Sequence, residues 1–324
     1  MPAEWARHER TLMAWPTRLD LWGDQLDAGR EEYAATANAI AAFEPLTMVC
    51  ANAAEAAQAR AALTAAAEIV ELPIDDSWLR DNGPIFVVDG DGRRAGVSFG
   101  FNAWGEKFAP WDRDAAVGAL LVEHVGDLCY EAPFVLEGGS VHVDGEGTLL
   151  TTEECLLHPN RNPGMTREEI EVGLRDHLGV ETIVWLGKGL VEDRDTDGHV
   201  DMIAAFTRQG EVLLQALEPG AASHERMAEN RARLVAAGLE VIDFPILASV
   251  EVAGEEVAVS HLNFYLCNGA AIVPLAGLDT DAEALERIGA AYPGREIVGV
   301  PGRVIAYGGG GPHCITQQVP DSSA

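Results

Sequence analysis

Short apolar runs alternate with longer alanine-rich segments along the chain, and this alternation predicts a mixed α/β protein. Residues 46–50 (LTMVC) form a mainly apolar and β-branched run, which predicts a buried strand. Residues 52–67 follow, and their many Ala residues with Glu, Gln and Arg predict a helix. Residues 68–72 predict the next strand. The first part of the chain therefore predicts a strand, a helix and a second strand.

Hairpins recur further along the chain, where two short strand patterns flank a turn-forming segment. Two of the turns, at 89–92 and 144–147, contain Asp-Gly, which is a strong hairpin signal. The predicted hairpins pair residues 85–88 with 96–99, 134–143 with 148–152, 200–206 with 211–215, and 264–267 with 270–273. Helices are predicted at 113–125, 166–179, 222–237 and 282–291, and further strands at 182–186, 240–244 and 296–300. Thr166 and Glu169 match a capping box, which predicts where the second of these helices begins.

The order hairpin, helix, strand therefore recurs at intervals of roughly sixty residues, as in proteins built from repeated structural units. Such a recurrence favours a closed arrangement of similar units. The residue identities do not repeat from one interval to the next. An ordinary mixed α/β sandwich is therefore the alternative that the pattern leaves open.

Composition and charge narrow the class of protein. Apolar residues make up 48% of the 324 residues and charged residues 23%, which is typical of a soluble chain with a large core. The 52 acidic residues outnumber the 22 basic ones, giving a formal net charge of -30. Such a charge repels a phosphate backbone, so nucleic-acid binding is not expected. It attracts a small cationic ligand, although an acidic surface can also serve solubility alone.

Cysteine usage and apolar run lengths bear on the cellular setting. The five cysteines are odd in number and none is spaced as Cys-x-x-Cys, so neither a zinc site nor a thioredoxin-like motif is expected. The first residues lack a basic stretch followed by an apolar run, and no stretch has eighteen uninterrupted apolar residues. We expect a reducing, cytoplasmic setting with no membrane span.

Two polar segments stand out between apolar strands. Residues 75–84 contain three carboxylates and Arg80, together with Trp78, an indole of the kind that often forms a binding surface. Residues 136–144 place Glu137 before Gly-Gly, where a ligand can approach the backbone closely. A solvated loop is the alternative for the first segment, although Trp78 argues against it, and a tight bend or bulge is the alternative for the second.

Two further segments carry a histidine and a thiol. In residues 195–201, His199 and Asp201 would share one face of a strand, an arrangement suited to acid/base chemistry. A satisfied structural histidine is the alternative, and no second His or Cys at ligand spacing supports a metal site.

Residues 308–318 present Cys314 after four glycines and a proline. Its setting suggests a reactive thiol, whereas Cys50 and Cys267 lie in apolar runs. A phosphate-binding loop or a linker is the alternative for the glycines.

A thiol, a histidine and several carboxylates in one site pose an electrostatic question. Buried acids near a nucleophile raise one another's pKa values and suppress a thiolate. A cation between the carboxylates would offset their negative charges and allow the thiolate to form. A guanidinium is planar, permanently charged and rich in donors, and carboxylates bind it through paired hydrogen bonds. A Ser/His/Asp esterase would instead need an oxyanion hole and no surplus acids.

The chain resembles the agmatine deiminases, a family that also holds bacterial-type peptidylarginine deiminases. The resemblance covers nearly the whole chain. Its motifs are MPAEW at residues 1–5, MAWP at 13–16, EGGSVHVDGEG at 137–147, TTEECL at 151–156, NRNP at 160–163 and HCITQQ at 313–318. Matches of this length are far more specific than a lone glycine-rich loop.

This resemblance implies the pentein fold, an α/β propeller of five ββαβ units about a pseudo-fivefold axis, in a single catalytic domain over residues 1–324. It implies metal-free and cofactor-free hydrolysis of a guanidine, agmatine first, to a ureido product and ammonia. By motif position, Cys314 is the nucleophile, His199 is the general acid/base, and Asp81 and Asp201 hold the guanidinium. Glu137 and Asn263 match further site positions, Trp78 lines the substrate channel, and Asp195 contacts the distal amine. Family members are often homo-oligomers.

Two departures from the family pattern concern the substrate tail. Asp195 stands where agmatine-specific members often have Glu, so the carboxylate is one methylene shorter, and Arg194 adds a positive charge beside it. Gly311-Pro312 stands where Asn-Ile is common. Two alternatives therefore remain. One is a deiminase of peptidyl or free arginine, which would need a basic group such as Arg80, Arg161 or Arg194 for a carboxylate or peptide backbone. The other is a catalytically silent guanidine-binding protein.

Overall fold

The computed structural model describes residues 1–64 and 67–322. The strands are β1 (His8–Ala14), β2 (Leu46–Cys50), β3 (Ala67–Glu71), β4 (Ile85–Val88), β5 (Arg94–Gly100), β6 (Leu128–Val135), β7 (Val141–Val143), β8 (Thr148–Thr152), β9 (Thr182–Leu186), β10 (Ala204–Arg208), β11 (Glu211–Gln215), β12 (Glu240–Phe244), β13 (Ala248–Val252), β14 (Glu255–Val259), β15 (Tyr265–Cys267), β16 (Ala270–Leu275), β17 (Glu296–Pro301) and β18 (Thr316–Pro320). The helices are α1 (Leu19–Trp22), α2 (Leu26–Ile40), α3 (Ala53–Ala62), α4 (Leu79–Asn82), α5 (Ala103–Glu106), α6 (Asp112–Val125), α7 (Glu153–Leu156), α8 (Arg167–Leu178), α9 (His224–Ala236), α10 (Thr280–Ala291) and α11 (Arg303–Tyr307). No helix among the described residues combines the length and apolarity needed to cross a bilayer.

Five of the sheets share one pairing pattern. In each of the sheets β4-β5-β6, β7-β8-β9, β10-β11-β12 and β15-β16-β17, the first two strands are antiparallel and the last two are parallel. The fifth sheet, β18-β1-β2-β3, joins the two ends of the chain: β18 pairs antiparallel with β1, which pairs parallel with β2. These small sheets differ from the two large stacked sheets of a sandwich, and the α/β class is confirmed.

Most predicted elements are found with small shifts in their ends. Strands β2, β9 and β12 have the predicted bounds. Helix α8 begins after Thr166, whose side chain accepts a hydrogen bond from the Glu169 backbone N–H while the Glu169 carboxylate accepts one from Thr166 N–H, so the capping box is confirmed. The predicted helix 52–67 is too long, because α3 ends at Ala62 and β3 already begins at Ala67. Residues 65 and 66 of that prediction lie outside the described residues.

Two predicted strands are wrong in part, and both errors fall on candidate site segments. The predicted strand 134–143 is divided, since β6 ends at Val135 and a 3-10 turn over Gly138–Ser140 precedes β7. The turn passes so close to Arg80 that a Cβ on Gly138 would lie 2.2 Å from the Arg80 carbonyl oxygen. The predicted strand 200–206 begins only at Ala204, after a second 3-10 turn over Val200–Met202.

The sequence pattern misses strands whose polarity is unusual. All five residues of β18 are buried although three are polar, so the strand lacks an apolar signature. Strand β6 lies at the edge of its sheet and leaves Leu128 and Tyr130 exposed. The hairpin of β13 and β14 and the first strand β1 are also absent from the predictions. Burial of polar strands depends on partners distant in sequence, which local periodicity does not report.

The largest buried apolar cluster contains Trp78 and Cys314. A reactive group in this position is surrounded by packed side chains, which exclude water and fix its orientation. The candidate site therefore lies inside the core of the protein.

We expect Thr166→Ala to lower the free energy of unfolding by about 1 kcal/mol, because the first turn of α8 loses a capping hydrogen bond. Urea denaturation followed by circular dichroism measures the effect. Thr166→Ser keeps the hydroxyl and is the matched control. Equal midpoints for Thr166→Ala and Thr166→Ser would contradict the predicted contribution of the cap.

Candidate active site

Five chain segments bring the candidate residues together, and each segment comes directly before the first strand of one of the five sheets. Asp81 precedes β4, Glu137 precedes β7, Asp201 precedes β10, Asn263 precedes β15 and Cys314 precedes β18. Residues far apart in sequence thus occupy equivalent positions relative to these five sheets. This equivalence explains why the predicted site residues converge.

The Cys314 thiol is buried, with 2% of the residue exposed. Its Sγ lies 3.4 Å from Asp201 Oδ2, and its backbone N–H donates to Asn263 Oδ1 at 3.3 Å. Burial, followed by the charges of Asp201 and Asp81, raises the pKa of the Cys314 thiol well above its ordinary value. These surroundings favour the thiol over the thiolate, and a positive charge placed beside the sulfur would favour ionisation.

The glycines before Cys314 allow the chain to pack against the reactive side chain. A Cβ on Gly310 would lie 2.9 Å from Cys314 Sγ and 2.8 Å from the Trp78 ring. A Cβ on Gly311 would lie 2.7 Å from Asn263 Oδ1. Larger residues would therefore displace the thiol or its amide partner. The glycine run therefore serves close packing around the thiol.

Asp201 is buried between two donors. Its Oδ2 accepts from His313 Nδ1 at 2.8 Å as well as from the Cys314 thiol, whereas Oδ1 has no hydrogen-bond partner among the described residues. Burial acts to raise the pKa of Asp201, but the hydrogen bond and charge of His313 outweigh burial and lower it below its ordinary value. Asp201 is thus an ionised carboxylate with one free oxygen.

Asp81 is buried and accepts two hydrogen bonds. Oδ2 accepts from Trp104 Nε1 at 2.9 Å, and Oδ1 accepts from the Gly139 backbone N–H at 2.9 Å. Burial, opposed in part by His199, raises the pKa of Asp81 to about 6, with Asp201 and Glu137 adding to the rise. Asp81 therefore ionises just below neutral pH and gains from any cation placed beside it.

His199 is fully buried, and neither ring nitrogen has a hydrogen-bond partner among the described residues. Its Nδ1 lies 3.8 Å from Asp81 Oδ1. A Cβ on Gly139 would lie 2.7 Å from His199 Nδ1, 2.8 Å from Asp201 Oδ2 and 2.9 Å from Asp81 Oδ1. The three side chains therefore surround one glycine, whose missing side chain leaves them room.

The strand-face argument for His199 and Asp201 is wrong, although both residues are in the site. Both come before β10, where Val200–Met202 form a 3-10 turn, so alternation along a strand does not apply to them. The turn is closed by a hydrogen bond from Ile203 N–H to the Val200 carbonyl. Tertiary packing of this turn brings the two side chains to the same centre.

Glu137 is also fully buried and is bound by an arginine. Its Oε1 accepts from Arg161 Nε at 2.6 Å, whereas Oε2 has no hydrogen-bond partner among the described residues. Donor atoms of Glu137, Cys155 and His199 lie within 4.8 Å of one another, close enough to share a metal ion. The adjoining Arg161 cation and the Cys155 thiol, whose pKa burial raises well above its ordinary value, both oppose metal binding there.

A narrow cavity opens onto Cys314 and Asp81. Its walls include the aromatic rings of Trp78, Trp104 and Phe108, and Asp195 lies among its lining residues. Trp78 is held in place by stacking on Trp22, with 6.0 Å between ring centroids and 11° between the ring planes. An apolar, aromatic-walled channel that ends at carboxylates suits a slender ligand with a cationic head.

The cavity adjoins an outer cleft that also contains Asp195. Burial and the neighbouring Asp193 raise the pKa of Asp195 above its ordinary value. The cleft is lined by the six carboxylates of Asp20, Glu192, Asp193, Asp195, Glu255 and Glu256. Arg194 also lines it, but its guanidinium is paired with Glu255 at 3.2 Å. The approach to the cavity is therefore acidic.

Three residues make contacts with the predicted site that were not proposed from the sequence, where Arg161 was considered only as a group that could bind a substrate carboxylate. Trp104 binds Asp81 and lies in α5, where Ala103, Trp104 and Glu106 all have positive φ angles. Arg161 binds Glu137, and His313 binds Asp201. Both belong to motifs that the resemblance quoted, NRNP and HCITQQ, which was the available signal for them. No local signal marked Trp104.

Comparisons with known proteins identify a matching family and close relatives. The family model described as Porphyromonas-type peptidyl-arginine deiminase matches residues 1–320. The agmatine deiminase of Stutzerimonas stutzeri (strain A1501) is 45% identical, over 99% of this chain and 95% of the relative. That of Pseudomonas aeruginosa (strain LESB58) is 44% identical with the same coverage.

Solved structures show the same α/β fold. The agmatine deiminase of Enterococcus faecalis superimposes with a TM-score of 0.94 at 36% identity, covering 99% of this chain and 96% of that one. A cysteine-to-serine variant of the C. jejuni agmatine deiminase with substrate bound gives a TM-score of 0.91 at 27% identity, covering 98% of this chain and 95% of that one. The chain belongs to the Porphyromonas-type peptidyl-arginine deiminase family.

Proposed function

We propose that this protein is a hydrolase that converts agmatine and water into N-carbamoylputrescine and ammonia. The single observation that carries the proposal is the buried thiol of Cys314, which lies 3.4 Å from the Asp201 carboxylate and shares its cavity with Asp81. The agmatine deiminase relatives support the choice of substrate. The expected chemistry is that of a linear amidine whose C–N bond is cleaved.

A guanidinium ion resolves the electrostatic conflict in the site. Asp81 and Asp201 are buried carboxylates, and one oxygen of Asp201 has no partner among the described residues. A guanidinium placed between them would donate to both through its planar N–H groups. Its positive charge would also lower the pKa of the Cys314 thiol, which is otherwise raised. Substrate binding and activation of the nucleophile are thereby coupled.

The reaction proceeds through a covalent intermediate. His199 takes the proton of the Cys314 thiol, and the resulting thiolate attacks the guanidinium carbon to form a C–S bond in a tetrahedral adduct. His199, whose ring nitrogens have no partner among the described residues, protonates one nitrogen, and the C–N bond breaks to release ammonia. A thiouronium remains on the sulfur. His199 then takes a proton from water, water attacks the same carbon, and the C–S bond breaks to give the ureido product and the thiol.

The remaining site residues would position these groups. Asn263 accepts from the Cys314 backbone N–H and donates to the Asp201 carbonyl at 3.3 Å, so it ties the nucleophile to the turn that carries Asp201. Glu137 has a free carboxylate oxygen in the same region, and Trp78 forms one wall of the channel. We propose that these residues hold the substrate and the catalytic groups in the relative positions that the reaction requires.

The charges around the cavity favour agmatine over arginine or a peptidyl arginine. A substrate carboxylate would face the acidic outer cleft, and the three arginines considered for binding it already have anionic partners. Arg80 pairs with Glu4, Arg161 with Glu137 and Asp197, and Arg194 with Glu255. A primary amine at the far end of the substrate would instead meet Asp195.

We also propose the finer architecture that the family implies. Five sheets with one pairing pattern, each preceded by a site residue, support an α/β propeller of five ββαβ units around the site. The sheet that joins β18 to β1 supports a single catalytic domain over residues 1–324, since it ties both ends of the chain together. A homo-oligomer and a cytoplasmic location stay predictions.

We expect Cys314→Ala to abolish ammonia release from agmatine, by at least ~10³-fold in kcat, because no covalent intermediate can form. Ammonia and ureido product are both measured. Cys267→Ala, which removes a buried thiol from a core strand, is the matched control and should retain activity. Turnover by purified, folded Cys314→Ala would contradict the mechanism, whereas an inactive wild type whose Cys314 resists iodoacetamide would favour a silent guanidine-binding protein.

We expect Trp104→Phe to shift the pH dependence of kcat/KM for agmatine. The free enzyme needs ionised Asp81, so kcat/KM should rise as pH rises through about 6. Loss of the indole N–H removes a bond that stabilises the carboxylate, so this limb should move to higher pH by roughly half to one unit. Trp185→Phe, which removes an equivalent bond to Glu171, is the control. An unmoved limb would contradict the role of Trp104.

We expect Asp195→Glu to lower KM for agmatine by roughly three- to tenfold. The longer carboxylate would reach the distal amine and form a charge-assisted hydrogen bond, and the expected change corresponds to part of the free energy of such a bond. Butylguanidine, which lacks that amine, should show no change. Asp20→Glu is the matched control, because Asp20 lines the outer cleft but not the inner cavity. If the ratio of KM for agmatine to KM for butylguanidine is the same in Asp195→Glu as in the wild type, the contact between residue 195 and the distal amine is excluded.

A further inference from the structure

A buried carboxylate from the N-terminal motif reaches the back of the reaction centre. Glu4 and His313 are 5% and 4% exposed. The Glu4 Oε2 atom lies 2.8 Å from His313 Nε2 and 3.3 Å from Arg80 Nη2, and Oε1 accepts from the Leu266 backbone N–H at 2.8 Å. The mechanism proposed above leaves Glu4 and His313 without a role. Yet His313 contacts Asp201 directly, and Glu4 contacts His313.

His313 lies between two carboxylates, one on each ring nitrogen. Its Nε2 faces Glu4 Oε2 at 2.8 Å, and its Nδ1 faces Asp201 Oδ2 at 2.8 Å. A neutral imidazole carries one N–H and one lone pair, so it would direct a lone pair at one of these oxygens. With Glu4 and Asp201 both ionised, as their lowered pKa values favour, only the imidazolium satisfies both contacts. The two short contacts therefore favour a cationic ring directly behind Asp201.

We infer that Glu4 and His313 are positioning residues that form a buried ion chain, Glu4–His313–Asp201, which holds Asp201 as a carboxylate facing the thiol of Cys314. Asp201 Oδ2 is the shared acceptor of the His313 ring and the Cys314 sulfur, at 2.8 and 3.4 Å. Glu4 acts through His313, since its contacts are with His313, Arg80 and the Leu266 backbone. The catalytic relevance of this chain rests on the proposed function.

The other charged and titratable groups around His313 are Arg80 and His142. Arg80 Nε donates to the His313 carbonyl at 3.2 Å, and the His142 ring stacks on the His313 ring with 6.2 Å between centroids. Burial lowers the pKa of His142 to about 4, so that ring is neutral near pH 7. Burial and Arg80 act to lower the pKa of His313, but Glu4 and Asp201 outweigh them and raise it.

This ion chain has a consequence for the nucleophile. While His313 is charged, its positive charge offsets the negative charge of Asp201. The Asp201 carboxylate then raises the pKa of the Cys314 thiol less than it would alone. When His313 loses its proton, Asp201 and Asp81 are left as two buried acids beside the thiol, which further disfavours the thiolate. Activity should therefore fall as pH rises through the pKa of His313. Glu4 sets the pH at which this loss occurs.

The test is Glu4→Gln, whose amide oxygen can still accept from His313 while the charge is removed. We expect the alkaline limb of kcat/KM for agmatine to move to lower pH by roughly one unit, with kcat/KM near pH 6 within about twofold of wild type. The rate of Cys314 alkylation by iodoacetamide at pH 8 to 9 should fall several-fold. Glu4→Asp keeps the charge and should restore both profiles toward wild type.

The matched control is Glu44→Gln. Glu44 is 5% exposed, lies 3.1 Å from His8 Nδ1 and accepts from the Asn268 backbone N–H, so it is a buried glutamate paired with a histidine as Glu4 is. It has no contact with His313 or Asp201 among the described residues. Loss of stability alone would affect both variants, whereas only Glu4→Gln should shift the pH profiles. Equal shifts in the two variants, or none in Glu4→Gln, would overturn the inference.

Two measurements separate this inference from the proposed function. If agmatine is not hydrolysed by the wild type, the proposed function fails, but the alkylation profile of Cys314 still tests the ion chain. If Glu4→Gln does not fold, the wild type labelled with ¹⁵N-histidine gives the answer by NMR, with the His313 signal assigned from His313→Gln. Two protonated ring nitrogens at pH 7 support the ion chain, and a neutral ring overturns it.

Discussion

Burial of several carboxylates around one thiol is the constraint on which this structure depends. An unpaired charge in a protein interior costs several kcal/mol, so each acid needs a donor or a cation. Asp81 is held by Trp104 and a backbone N–H, Asp201 by His313, and Glu137 by Arg161. Two of these pairings are incomplete, since one oxygen each of Asp201 and Glu137 has no hydrogen-bond partner among the described residues. The guanidinium of the proposed substrate would complete the balance.

The need to bring charged side chains together also shapes the backbone around them. Gly139 leaves the space in which His199 and the two aspartates meet, because a Cβ there would lie within 2.9 Å of all three. The α5 segment holds Ala103, Trp104 and Glu106 at positive φ angles, which cost of order 1 kcal/mol each for residues with a side chain. This strained backbone places the Trp104 indole N–H against Asp81. Strained backbone and glycine residues thus occur where the side chains of the site lie close to the main chain.

Local pattern predicted many of the elements that have one apolar face, although helix α2 and the β13–β14 hairpin were not among them. Strands β2, β9 and β12 and the capping box of α8 were predicted with their correct bounds, because alternation, propensity and capping chemistry act over a few residues. The predicted strands over 134–143 and 200–206 continued into the site, where the chain instead makes 3-10 turns over Gly138–Ser140 and Val200–Met202. Strand β18 was missed because its polar residues are buried by distant partners.

The sequence by itself determined the chemical inventory: a cysteine in a glycine-rich segment, a histidine, the acids and a family motif that orders them. It did not determine which groups touch. The pairing of Glu4 with His313 joins the two ends of the chain, and that of Trp104 with Asp81 joins a strained segment to a short helix. Such contacts depend on the register in which five sheets assemble. Local propensities carry no information on that register, because it is set by packing between segments far apart in sequence.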